Sequence, residues 1–74
     1  MNNVQECKLL RSIARAYAGK RNVGNMKPEE LEQAGQLTKE NLITTSTYKN
    51  SEWCELTDAG IKRLYYLNAL SLGV

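Results

Sequence analysis

The chain has no histidine, no phenylalanine, a single proline, a single tryptophan and two cysteines in 74 residues. Each shortage excludes something. There is no imidazole to act as general base, no activated serine or cysteine signature, no phosphate-cradling glycine loop, and no carboxylate pair in an apolar setting. Enzyme activity is therefore not expected. Two isolated cysteines, Cys7 and Cys54, fall short of the four ligands a structural zinc site takes, so no metal or cofactor is expected. No apolar run approaches the ~20 residues of a membrane span. The opening MNNVQECKLL is polar, with neither the apolar core nor the cleavage site of a signal peptide. The reading is a cytoplasmic domain without a membrane partner, in which a disulfide is disfavoured and both cysteines serve as small apolar residues.

With no phenylalanine, the core falls to leucine, isoleucine, four tyrosines and one tryptophan. A chain of this length makes one domain, and it buries only about 60% of the surface that its unfolded form exposes. Ten basic against eight acidic residues leave a net charge of +2, too mild to indicate a nucleic-acid partner by itself.

Helical periodicity runs from residue 4 to residue 18. It puts Leu9, Leu10, Ile13, Ala14, Ala16 and Tyr17 on one face, with Lys8, Arg11 and Arg15 opposite. Gly19 stands where a left-handed residue ends a helix. The following KRNVGN has room for a short connection or a single extended bridge. A second helix opens at Pro28, suited to a first turn because it lacks the N–H that would go unpaired there. Glu29 and Glu30 complement the positive end of its dipole. Its inward stripe reads Leu31, Ala34, Gly35, Thr38 and Leu42, and Asn41 closes it. Residues 43–47 and 52–56 read as two strands about a polar tip, a turn longer than two residues whose type is open. Thr57 then caps a last helix in which Gly60 allows close packing.

The order helix, helix, hairpin, helix, with Asn41-Leu42-Ile43 entering the hairpin and Leu56-Thr57-Asp58-Ala59-Gly60 leaving it, resembles winged-helix regulators of the MarR and PadR type. The likeness covers roughly residues 28–66. A full winged helix carries two helices between its first helix and the wing. Here the supporting one is shrunk to a turn or lost, as in short prophage proteins of the YjcQ kind. The resemblance implies a mainly α domain with a small β-hairpin, an abbreviated winged helix-turn-helix. It implies a DNA-binding transcriptional regulator, phage or mobile-element encoded.

On that reading Gln33 and Gln36 face adenine edges from the recognition helix. Lys27 and Lys39 stand at its two ends, and Tyr48, Lys49 and Asn50 form a wing tip suited to phosphate. Against it, the outward face of that helix carries Glu29, Glu32 and Glu40, which oppose phosphate. A protein-interaction module that keeps the frame without DNA is the alternative. The stripe of Lys8, Arg11 and Arg15, extended by Lys20 and Arg21, suits phosphate, an acidic protein or plain solvation. Trp53 shares its strand with Cys54 and Leu56, which lie together on the other side of it; which side is inward stays open. The last helix is uncharged beyond Arg63. Tyr65, Tyr66, Leu67, Leu70 and Leu72 therefore form a candidate surface for a homodimer or a protein partner.

Overall fold

In the computed structural model, which describes residues 2–70, the sequence folds as α1 (Asn3–Ala14), β1 (Lys20–Asn22), α2 (Pro28–Lys39), β2 (Ile43–Tyr48), β3 (Ser51–Leu56) and α3 (Asp58–Ala69). Short 3-10 turns at Tyr17–Gly19 and Val23–Asn25 flank β1. This is a small α+β domain of three α-helices and a three-stranded antiparallel sheet in the order β1-β3-β2.

Local chemistry accounts for the helix ends. Asn2 and Gln5 cap α1 reciprocally, each side chain accepting the other's backbone N–H at 2.8 and 3.1 Å, which closes two donors that a helix start leaves open. Helix α2 ends with Asn41 at φ 61°. The Asn41 and Leu42 N–H groups donate back to the Thr38 and Leu37 carbonyls, each at 3.0 Å, the paired bonds of a Schellman ending. Thr57 caps α3 by accepting the Gly60 N–H at 3.0 Å, and its hydroxyl donates to the Asn41 carbonyl at 2.7 Å. One threonine thus joins the end of α2 to the start of α3.

The core gathers Cys7, Leu9, Leu10 and Ile13 of α1, Met26, Ala34 and Leu37 at α2, Ile43, Cys54 and Leu67. Both cysteines are buried and neither forms a disulfide, and burial pushes the Cys54 thiol up, which keeps it protonated. Two charged links tie the elements together. The Arg63 Nε atom meets buried Glu6 at 2.7 Å, joining α3 to α1. Arg21 forks onto Glu30 at 2.8 and 3.1 Å and also donates to Ser12, joining β1 to α2 and α1.

Several expectations are corrected. Helix α1 stops at Ala14: Ala16 is extended (φ -66°, ψ 158°), and the left-handed Ala18 and Gly19 (φ 57° and 72°) then turn the chain into β1. Tyr17, expected inside, is 95% exposed, and Ala14 is exposed too. The KRN segment is a paired strand: Lys20, Arg21 and Asn22 lie opposite Glu55, Cys54 and Trp53. In α2 the buried residues are Ala34 and Leu37, while Leu31, Gly35 and Thr38 are exposed. Glu30 turns inward to take Arg21, and that rotates the stripe. The hairpin pairs as expected and extends further, from Ile43 opposite Leu56 to Tyr48 opposite Ser51. Its turn is two residues, Lys49 and Asn50, both left-handed at φ 51° and 65°, the arrangement whose twist matches the flanking strands.

Candidate nucleic-acid interface

Antiparallel partners share a face of a sheet, and the face alternates along each strand. Ile43, Cys54 and Leu56 meet the helices, and Arg21, opposite Cys54, points the same way to reach Glu30. The other parity therefore faces away from the helices: Lys20 and Asn22 on β1, Thr44, Ser46 and Tyr48 on β2, Ser51, Trp53 and Glu55 on β3. This settles the side of Trp53. It lies on the outer face, half-buried, between Asn22 and Ser46.

The seven residues anticipated for nucleic acid do not converge. Lys27 and Lys39 are exposed at opposite ends of α2, about 18 Å apart along a helix rising 1.5 Å per residue. Gln33 and Gln36 line a cleft of about 390 Å³ with Gln5 and four glutamates, Glu6, Glu29, Glu32 and Glu40; among the described residues no cation lines it. An anion meets repulsion there. Tyr48, Lys49 and Asn50 stay together at the hairpin tip, all exposed. The Lys49 ammonium sits 5.5 Å from the Tyr48 ring centroid, a contact worth about 0.5–1 kcal/mol at an exposed site.

The basic stripe is broken as well. Arg21 is spent on Glu30, and Arg11 donates to the Asn68 side chain of α3 at 2.7 Å. Lys8, Arg15 and Lys20 keep exposed side chains.

A second concavity was not anticipated. Tyr17, Ala18, Lys20, Ser46, Tyr48 and Trp53 enclose a groove of about 300 Å³ on the outer sheet face. No carboxylate lines it. The Trp53 Nε1 is the buried side-chain polar atom that, among the described residues, meets no hydrogen-bond partner. Tyr17 escaped the sequence reading because helical spacing put it on the α1 core face. The usable signal was the small pair after it, Ala18-Gly19, where a helix is free to break.

Of the candidate assembly surface, Tyr65, Tyr66 and Leu70 are 71%, 55% and 48% exposed, and Ile61 joins them at 41%. Leu67 does not: it is fully buried in the domain's own core, so it holds the monomer together and is not available to a partner. Leu72 lies outside the described residues. Among the described residues no cluster suits a metal ion, and no helix is long and apolar enough to cross a membrane. Comparison with known proteins finds no matching family model, no matching curated protein and no matching solved structure.

Proposed function

We propose that this chain is a small winged-helix regulator that binds DNA through its wing, the β2–β3 hairpin, and holds α2 away from the phosphates. The observation that carries the reading is Lys49. It occupies a left-handed turn position (φ 51°) that favours asparagine, aspartate or glycine. A non-glycine residue there costs about 1–3 kcal/mol. A cation is thus kept at the most projecting point of the hairpin against the local backbone preference. Support for the frame comes from the element order and from the β1-β3-β2 sheet, with the Val23–Asn25 turn where a full winged helix has its supporting helix.

The test is a duplex DNA shift assay across a salt series. Each phosphate contact contributes about one unit to the logarithmic salt slope. Lys49→Ala should lower that slope by about one, while Lys39→Ala and Lys27→Ala leave it unchanged. A slope indifferent to Lys49, or no binding at low salt, refutes the reading.

A second reading rests on a different observation. The acidic α1–α2 cleft and the exposed Ile61, Tyr65, Tyr66 and Leu70 on α3 suit protein surfaces better than phosphate. In that reading the domain is an interaction module on the same frame. The α3 surface serves a homodimer or a protein partner in either case.

A further inference from the structure

We propose that the outer-face groove is a site for an unpaired nucleobase of a single strand, stacked on Trp53 between Tyr17 and Tyr48, with its phosphate toward Lys20 and Lys49. The inference rests on the nucleic-acid reading and adds to it a ligand form and a second contact surface.

Three properties select this occupant. The first is aromatic area: Tyr17 is 95% exposed and Tyr48 is 64% exposed, and both flank the indole across the same groove. Ser46 and Asn22, the residues opposite Trp53, are small and polar and leave room beside its ring. Flat rings arranged on a sheet are what unstacked bases pack against, whatever their sequence.

The second property is charge. Lys20 lines the groove and Lys49 stands over the Tyr48 ring at its tip end. Glu55, opposite Lys20 on the same face, lies outside the lining. An anionic chain with flat apolar groups matches this surface, and an uncharged proline-rich peptide would use the rings without the lysines.

The third is the unmatched Trp53 N–H. A buried donor without a partner is an unpaid desolvation cost, and base carbonyls and phosphate oxygens are acceptors. The atom is shielded from solvent, so neighbouring side chains must shift before an acceptor meets it.

Trp53 is the sole tryptophan, and its fluorescence therefore reports this groove alone. The full chain is titrated at low salt with short oligothymidylate, oligouridylate, an abasic strand of equal phosphate count, a DNA duplex and a proline-rich peptide. Oligothymidylate or oligouridylate should quench Trp53 and bind about tenfold tighter than the abasic strand. Tyr17→Ala and Tyr48→Ala should each erase about tenfold of that affinity and leave abasic binding unchanged. Tyr17 is too exposed for its loss to unfold the domain.

Equal binding of the base-bearing and abasic strands without quenching overturns the groove, as does quenching by the peptide alone. Lys49-dependent duplex binding in a protein whose Trp53 ignores single strands overturns the groove and leaves the wing reading standing. Single-strand quenching without duplex binding does the reverse. Binding of neither nucleic acid overturns both.

Discussion

Gly60 is the position where one methyl group should do the most damage. A Cβ built there lies 1.9 Å from the Leu42 carbonyl oxygen and 3.0 Å from its carbon, so either α3 retreats or the Leu42 peptide rotates. Both movements disturb the same joint. Leu42 accepts the Thr57 N–H at 3.0 Å, and the neighbouring Asn41 carbonyl accepts the Thr57 hydroxyl at 2.7 Å. Forced overpacking costs about 1–3 kcal/mol, and each weakened hydrogen bond adds about 0.5–1.5 kcal/mol. The better helix propensity of alanine returns about 1 kcal/mol. Gly60→Ala should therefore lose about 2–4 kcal/mol. A domain of this length has only about 4–11 kcal/mol in total, so the midpoint should fall by roughly 10–30 °C. Gly35 provides the control, since it is exposed in α2 with nothing within 4 Å of its would-be Cβ. Gly35→Ala should gain about 0.5–1 kcal/mol. Urea unfolding followed by circular dichroism measures both. If Gly60→Ala is as stable as the wild type, the close approach of α3 to Leu42 is wrong.

The Arg21–Glu30 pair sets an acid limit. The Arg21 hydrogen bonds hold the Glu30 carboxyl below its ordinary value, so its contribution is complete above the unfolded value near ~4.3 and is lost as pH falls through the lower folded one. Glu30→Gln should cost about 1–3 kcal/mol at neutral pH; that gap should close in acid, and a gap constant down to the acid transition would refute the pairing. Leu67→Ala, emptying a fully buried site, should cost about 2–5 kcal/mol. Leu70→Lys, at a half-exposed site, should leave the chain folded and shift any homodimer to monomer in sedimentation. Asn50→Gly relieves a left-handed residue in the wing turn and should stabilise the hairpin, since the relieved strain of about 1–3 kcal/mol exceeds the added unfolded-chain entropy of about 0.4–1 kcal/mol; a lower melting temperature would contradict the turn geometry.

What the sequence disclosed is what local chemistry enforces. Pro28, Asn41, Thr57 and Gly60 mark helix ends and a close contact by their own stereochemistry, and all four stand where that stereochemistry places them. The hairpin declared itself through its β-branched run. Features set by tertiary pairing stayed hidden. Strand β1 has no apolar alternation because its inward residue is Arg21, which is satisfied by Glu30 and Ser12 and not by a hydrophobic neighbour. Helix α2 shows the same link: Glu30, Ala34 and Leu37 share the inward face at helical spacing, and the expected stripe of Leu31, Ala34, Gly35, Thr38 and Leu42 leaves out both Glu30 and Leu37. Tyr17 shows the converse error. Its spacing fits the core face of α1, but the helix ends at Ala14 and the chain is extended at Ala16, before Tyr17 is reached.

The site was hidden for a related reason. A recognition helix is sought where a polar face follows a capped helix start, and α2 satisfies that pattern while carrying the wrong charge. Its two glutamines share a cleft with Glu29, Glu32 and Glu40 of the same helix and with Glu6 of α1, so any phosphate brought to them meets like charge. Two exposed cations lie elsewhere, Lys20 on the outer sheet face and Lys49 at the hairpin tip, each beside exposed rings. No stretch of sequence contains this grouping, because Tyr17 and Lys20 meet Tyr48 and Trp53 only when β1 docks on β3. The strand that periodicity could not reveal is the one that assembles the groove, and arginine chemistry on its inner side holds it there. Arg21 and Lys20 are adjacent in sequence and point to opposite faces. Loss of the half-buried Arg21–Glu30 pair should therefore weaken single-strand binding from the far side of the sheet, through the position of Lys20 and without touching a ligand.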